Sequence, residues 1–421
     1  MSKYQSELMT TLVDRGFLYQ CTDEEALDKA AFEDVVTGYI GFDCTAPSLH
    51  VGSLVQIMML RHLHRAGGRP IVLLGGGTTK IGDPSLKDKT RPILTDDIID
   101  ENKKGIKQVF SKFINFEGPN AAILVDNADW LDGLGYIKFL RDVGSLFTIN
   151  RMITMETVKR RLENELPMTF LEFNYPLLQS YDFVELFRRY GCTLQLGGSD
   201  QWGNITTGVD LSRRMENAAC YGFTTPLITT ASGGKMGKTA EGAVWLNSDP
   251  SFGDNYFRTP YEYWQFWRNT DDADVGKFMK LFTDLPLIEI VKYEAMEGAD
   301  INTAKIRLAN EATAMLHGEE AAKKAEATAK ETFEKGGAAA GLPTVDIRSS
   351  ELDGLGILAA TVMLGLASSN GEARRHIKGG ALKINDIKVD SHERQIVKDD
   401  VVEGVVKISV GKKKHALLKP I

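Results

Sequence analysis

The stretch Tyr39-Ile40-Gly41-Phe42-Asp43-Cys44-Thr45-Ala46-Pro47-Ser48-Leu49-His50-Val51-Gly52-Ser53-Leu54 reads as a strand that turns sharply into a helix. Val36, Tyr39, Ile40 and Phe42 favour extended backbone, Gly41 interrupts them and Asp43 closes the run. Thr45, Pro47 and Ser48 are helix-start residues, and a mostly apolar run from Leu54 to Leu63 ends at Gly67-Gly68. Strand, tight turn and buried helix make the first unit of a nucleotide-binding α/β domain. The glycines let backbone approach a ligand closely. His50 is expected in the first helical turn, where the helix dipole favours phosphate, and Ser53 shares its face.

The same arrangement recurs downstream. Ile71-Val72-Leu73-Leu74 has the continuous apolar character of a buried parallel strand and enters Gly75-Gly76-Gly77-Thr78-Thr79-Lys80-Ile81-Gly82-Asp83-Pro84-Ser85. A third strand over 121–125 leads to Asn127-Ala128-Asp129-Trp130. A fourth over 193–196 runs into Gly197-Gly198-Ser199-Asp200-Gln201-Trp202-Gly203-Asn204 and then a helix over 206–215. One glycine-rich stretch reads most simply as a flexible loop. Repeated at successive strand ends, such stretches line the ligand crevice of an open α/β sheet. Asp200 serves equally as a helix N-cap or as an acceptor for a ribose hydroxyl.

Between these strands, 131–166 is helical, and its basic residues Arg151, Lys159, Arg160 and Arg161 read as a solvated face. The spacing predicts a further helix over 173–190 with Pro176 in its first turn. Tyr175, Gln179 and Asp182 then share one face. Taken alone, that stripe reads slightly better as a solvated face than as a grip for a small zwitterion. Ala231-Ser232-Gly233-Gly234-Lys235-Met236-Gly237-Lys238-Thr239 offers glycines, two lysines and a hydroxyl to phosphates. It is not a P-loop, because the required first glycine falls at Ser232 and Glu241-Gly242-Ala243-Val244-Trp245 does not read as a helix.

At 421 residues the chain is too long for one ordinary core, and 43% hydrophobic with 25% charged residues is a globular composition. The net charge of −7 argues against a protein coated for nucleic acid. From Gly371 onward, however, 12 Lys and Arg face 7 Asp and Glu, a surplus of +5 that leaves −12 for the rest. A basic tail on an acidic body points to a local nucleic-acid footprint. Cys21, Cys44, Cys192 and Cys220 form no CxxC or Cys/His cluster, so neither a disulfide framework nor a metal site is expected, and a reducing cytoplasm fits. No secretory signal and no bilayer-spanning run is expected.

The composition turns helical over 261–333, becomes linker-like from Lys335 to Pro343, and ends in a tail from about Leu355. In that tail Arg374, Arg375 and Lys378 sit on a helix followed by Gly379-Gly380, suited to meeting phosphates.

Taken together, these motifs resemble those of class I aminoacyl-tRNA synthetases, and the string from Tyr39 is similar to the bacterial or organellar tyrosyl-tRNA synthetase family. His50-Val51-Gly52-Ser53 matches the "HIGH" signature with serine for the second histidine. Lys235-Met236-Gly237-Lys238-Thr239 matches the "KMSKS" loop with Gly237 and Thr239 in place of its serines. Gly82 to Ser85, Asn127 to Trp130, Tyr175 to Asp182 and Gly197 to Asn204 follow in the family's order, and the tail resembles an S4-type RNA-binding domain.

The resemblance implies a Rossmann-like parallel-sheet catalytic domain (1–250), an α-helical domain on the anticodon side (251–335), a linker (336–352) and a small α+β S4-like domain (353–421). It implies tyrosine, ATP and tRNA(Tyr) as substrates, Mg2+ accompanying ATP, and a homodimer. Tyr39 and Asp182 would meet the tyrosine phenol, Asp83, Tyr175 and Gln179 its ammonium, and Gln201 its carboxylate. Gly41, Asp43, Gly52, Gly198 and Asp200 would line the nucleotide site. His50, Ser53, Lys235, Lys238 and Thr239 would hold the triphosphate, assisted by Lys87 and Arg91. An RNA-binding protein on a non-catalytic synthetase body is the alternative, but it predicts loss of phosphate-binding residues, whereas His50, Lys235 and Lys238 are present. The tryptophan-specific relative fits less well with Tyr39, Asp182 and the S4-like tail.

Overall fold

A single strand, Thr37–Asp43, stands at the centre of the N-terminal sheet and fixes where the sheet's open ends meet. The computed structural model describes residues 3–421 except 86–93, 119, 232, 234, 235, 237, 240, 241, 254, 255, 335–341, 412 and 413. In chain order the sheet strands are β1 (Gln20–Cys21), β2 (Thr37–Asp43), β3 (Arg69–Gly75), β4 (Ile123–Asp126), β5 (Leu194–Gly198) and β6 (Tyr221–Thr225). They lie side by side in the order β1-β6-β5-β2-β3-β4. All neighbours are parallel except β1, which runs antiparallel to β6. The chain builds outward from β2 through β3 to β4, then returns to its other side with β5 and β6. That reversal between β2 and β5 is where open α/β sheets leave a crevice beyond their carboxyl ends.

Neither β6 nor β1 is anticipated by the sequence pattern. The residues before β2 form two helices, Glu7–Asp14 and Glu24–Glu33, with β1 between them. Two-residue β1 carries no periodicity of its own and exists because Tyr19 and Thr22 amides bond to Thr224 and Gly222 of β6. The helical span 131–166 is broken into short pieces, among them Tyr136–Asp142 and Glu156–Glu163.

Two helix starts differ from expectation. The helix after β2 runs Val51–Arg65 with His50 as N-cap, several residues beyond Thr45, Pro47 and Ser48. Those start signals are overruled by tertiary bonds: Asn102 donates to the Cys44 carbonyl at 2.8 Å, and the Leu246 amide donates to the Leu49 carbonyl at 2.9 Å. The helix expected from Phe173 begins at Phe170 instead, so Pro176 lies in its interior, not its first turn. Thr169 and Glu172 form a reciprocal capping box one turn earlier, and Glu172 is locked by a buried pair with Arg161 at 3.0 Å. The N–H that Pro176 lacks interrupts one intrahelical bond.

The chain divides into two compact units, Met1–Thr239 with Ala243–Phe257 and Thr270–Ala304, and Ala240–Gly242 with Arg258–Asn269 and Lys305–Ile421. In the second, helices Pro260–Arg268 and Glu319–Glu334 pack together, and Asn310 links them by accepting from Trp264 at 2.7 Å and donating to Glu326 at 2.6 Å. Its C-terminal sheet has five strands in the order Ile387–Lys388, Leu382–Ile384, Val406–Val410, Lys414–Pro420, Thr344–Ile347. The last of these pairs parallel to Lys414–Pro420, so part of the stretch read as linker lies within this sheet. Ile357, Leu382, Ile396, Val406 and Leu418 form its buried core.

Candidate active site

A cavity of about 330 Å3 opens at the reversal point, lined by Asp43, Gly75 and Gly198, the last residues of β2, β3 and β5. Its floor comes from β2. Tyr39 is 1% exposed, stacks edge-to-face on Phe183 at 5.3 Å, and its hydroxyl has no hydrogen-bond partner among the described residues. Beside it Asp182, 2% exposed, projects from the Phe170–Tyr190 helix. Trp130 Nε1 donates to one Asp182 oxygen at 2.8 Å, and Asn127 Nδ2 to the other at 2.9 Å. Burial pushes the Asp182 carboxyl up to about 7 against the pull of those two donors. Burial and the Asp182 charge push the Tyr39 phenol well above its ordinary range.

Asn127 also joins the two ends of the cavity. Its side-chain oxygen accepts from the Gly77 amide at 2.8 Å, and its amide donates to Thr78 Oγ1 at 3.1 Å. Thr78 in turn donates to Asp43 at 3.0 Å. A second set of side chains forms a polar wall. Gln201 donates to Asp83 at 2.9 Å and accepts from Gln179 at 3.2 Å, and Asn204 donates to Gln179 at 3.0 Å. The Tyr175 hydroxyl donates to Asp43 at 3.4 Å. Gly41 is the exposed position in the otherwise mostly buried β2, leaving bare backbone facing the cavity. At Gly198 a β-carbon would stand 2.5 Å from Asp200.

At the other end, His50 caps the Val51–Arg65 helix: its Nδ1 accepts from the Gly52 amide at 2.9 Å. An imidazole that accepts at Nδ1 carries its proton on Nε2, so the ring offers a donor, not a cation. A β-carbon at Gly52 would meet the His50 ring at 2.6 Å and the Met236 carbonyl oxygen at 2.9 Å, so this approach requires glycine.

Residues 33–334 match the family model of class I tRNA synthetases for tryptophan and tyrosine, and 334–418 match the C-terminal domain model of SYY-like tyrosine–tRNA ligases. The chain belongs to the class I tRNA synthetases. It is 57% identical over 417 residues to the tyrosine–tRNA ligase of Beijerinckia indica, covering 98% of this chain and 97% of that one. The tyrosine–tRNA ligase of Methylocella silvestris is likewise 57% identical, covering 99% and 98%. Among solved structures, a C-terminally truncated mitochondrial tyrosyl-tRNA synthetase from Aspergillus nidulans aligns with a TM-score of 0.68 at 29% identity, over 78% of this chain and 95% of that one.

Of the residues singled out in this class I synthetase, Tyr39, Asp83, Tyr175, Gln179, Asp182 and Gln201 line the one cavity, as do Gly41, Asp43, His50, Gly52, Ser53, Gly198 and Asp200. The Tyr175 and Asp182 stripe is therefore not a solvated face: those side chains are 6% and 2% exposed. Lys238 and Thr239 lie on a short strand, while Lys235, Gly237, Lys87 and Arg91 lie outside the described residues. Arg374, Arg375 and Lys378 are exposed on the Asn370–Lys378 helix, whose Ala373 and Ile377 face the tail core.

The roles of Asn127, Trp130, Thr78, Gln195 and Trp245 are not read from the sequence. Asn127 and Trp130 follow a strand as the glycine loops do, but without glycines to mark them. Gln195, 2% exposed and opposite Tyr39 in register, has a visible signal, a polar residue inside the apolar strand Leu194–Gly198. No helix among the described residues is long and apolar enough to cross a membrane.

Proposed function

We infer that this chain is a tyrosine–tRNA ligase that converts L-tyrosine and ATP to tyrosyl-adenylate and pyrophosphate, then transfers tyrosine to the 3′-terminal ribose of tRNA(Tyr). The observation that carries it is the placement of the Tyr39 hydroxyl, which has no partner among the described residues, beside the donor-held Asp182 carboxylate, in a chain 57% identical to tyrosine–tRNA ligases along nearly its whole length. A phenol can accept from the Tyr39 hydroxyl and donate to Asp182, whereas a phenyl ring leaves the buried Tyr39 hydroxyl unpaired, which costs about 1–3 kcal/mol.

In this reading Asp83, Tyr175 and Gln179 receive the tyrosine ammonium, and Gln201 adjoins its carboxylate. Gly41, Asp43, Gly198 and Asp200 hold the adenosine. His50, Ser53, Lys235, Lys238 and Thr239 meet the triphosphate, with the Gly52 backbone allowing its approach. The tyrosine carboxylate is ionised near neutral pH and attacks the α-phosphorus directly. No general base is needed, so catalysis consists of positioning and of donors aimed at developing phosphate charge. Mg2+ enters with ATP as part of that substrate.

Residues 1–250 carry this chemistry, 251–335 face the anticodon side, and 353–421 hold RNA through Arg374, Arg375 and Lys378. The protein works as a homodimer in the cytoplasm. Support for the dimer comes from Ile137, Ile149, Leu162 and Phe170, which leave 58–74% of their surface exposed. Amino-acid-dependent exchange of pyrophosphate into ATP tests the activity. Exchange with tyrosine, and not with phenylalanine or tryptophan, is expected. No exchange with any of them would leave an RNA-binding protein without catalysis, and tryptophan-only exchange would reassign the substrate.

A further inference from the structure

Val244 to Asn247 runs alongside the turn that ends at His50. The Val51 amide donates to the Val244 carbonyl and the Leu246 amide to the Leu49 carbonyl, both at 2.9 Å, so His50 and Trp245 face each other as an antiparallel bridge. Asn247 grips the turn from its far side: its backbone amide donates to Ser48 Oγ at 3.1 Å, and its side chain donates to the Pro47 carbonyl at 3.3 Å. Trp245 lines the cavity and lies edge-to-face on the His50 imidazole at 5.9 Å. On its other side it meets Tyr256 at 5.2 Å.

The imidazole is thus held from two directions. Its Nδ1 is tied to the Gly52 amide, and its ring face is set by an indole that is itself backed by a third aromatic ring. Rotation of His50 away from the cavity requires breaking the cap or moving Trp245. A backbone bridge places the two side chains, and the edge-to-face contact holds one ring against the other.

We propose that Trp245 is a positioning residue for adenylate formation, fixing the His50 imidazole so that its Nε2–H is aimed at the ATP phosphates. It reaches the reaction through His50 and takes no part in tyrosine selection. The proposal rests on the reading of His50 as a triphosphate contact.

Steady-state pyrophosphate exchange and tyrosine binding are compared for Trp245→Ala, Trp245→Phe, His50→Ala and the double variant His50→Ala/Trp245→Ala, with thermal unfolding of each. Trp245→Ala is expected to lower kcat for exchange about 10- to 100-fold, the scale of a misplaced group, with tyrosine affinity unchanged. Trp245→Phe, which keeps the edge-to-face contact, should restore most of the rate. In the His50→Ala background, removal of Trp245 should cost little more, because two residues acting through one group are not additive. Full additivity, or a Trp245→Phe defect equal to that of alanine, overturns the role given to Trp245. A His50→Ala enzyme with normal exchange overturns the underlying reading of His50 instead. If Trp245→Ala unfolds, Trp245→Leu, which fills the space without an aromatic ring, carries the same comparison in both backgrounds.

Discussion

Trp130 donates its indole N–H to the buried carboxylate of Asp182 at 2.8 Å, across 52 positions of sequence. Together with Asn127 it holds both carboxylate oxygens from the short helix Ala128–Leu131 and its N-cap, directly after β4. The arrangement keeps an acceptor aimed at the cavity floor in a place where burial favours the neutral acid.

Trp130→Phe removes one donor to the charged form, so the Asp182 carboxyl moves further above about 7. Ionisation is then less complete at neutral pH, and tyrosine should bind about five-fold more weakly, as follows if the ionisation midpoint rises by roughly one pH unit from about 7. Raising the pH by about two units restores the ionised acceptor and should recover most of the affinity. Equilibrium dialysis with tyrosine across that range reads the effect. A defect of constant size at every pH would mean that Trp130 acts only through packing.

Tyr39→Phe is expected to move stability and binding in opposite directions. The hydroxyl is buried and has no hydrogen-bond partner among the described residues, so its removal should stabilise the fold by about 1 kcal/mol. The same change deletes a hydrogen bond to the tyrosine phenol and should weaken tyrosine binding several-fold. Urea unfolding and tyrosine titration of the same preparation give both numbers, and a destabilised variant would show that the hydroxyl has a partner in solution.

Gly105→Ala should be strongly destabilising. A β-carbon there would stand 1.8 Å from the Pro47 carbonyl oxygen, backbone against helix, with no flexible side chain to yield. Overpacking of this kind costs about 1–3 kcal/mol or more, and it displaces the turn that leads to His50. Gly133→Ala, where nothing lies within 4 Å, is the control and should be near neutral. Denaturant midpoints of the two variants decide the matter.

Arg374→Ala and Lys378→Ala should leave pyrophosphate exchange unchanged while raising the KM for tRNA in aminoacylation. Each lost phosphate contact reduces the slope of log affinity against log salt by about 1. A change in exchange rate, or an unaltered salt slope, would remove this helix from the RNA surface.

The alternation of short apolar runs with glycine loops was enough to read the parallel sheet, because a strand buried on both faces needs a continuous apolar sequence. It missed β1 and β6: a two-residue edge strand has no period, and β6 reads as ordinary loop until β5 lies beside it. It also misplaced two helix starts, since Thr45, Pro47 and Ser48 carry start chemistry that bonds from Asn102 and Leu246 override. The glycine turns were legible in residue type, and Gly41, Gly52 and Gly198 line the cavity. The Tyr175, Gln179 and Asp182 stripe was not legible, because period 3.6 marks a face without saying what lies against it.

Residue pattern therefore settled the fold class, the strand-turn-helix from Tyr39 to Leu54, and the family to which the motifs belong, all of which depend on local backbone preference and burial period. What required the folded chain was the company each side chain keeps. Tyr39 became the floor of a cavity when Gln195 came opposite it in register and Asp182 was brought beside it. His50 became a fixed donor when Gly52 took its Nδ1 and Trp245, nearly two hundred positions away, closed over its ring. Contacts between distant segments follow from the packing of the whole domain, which no local period records.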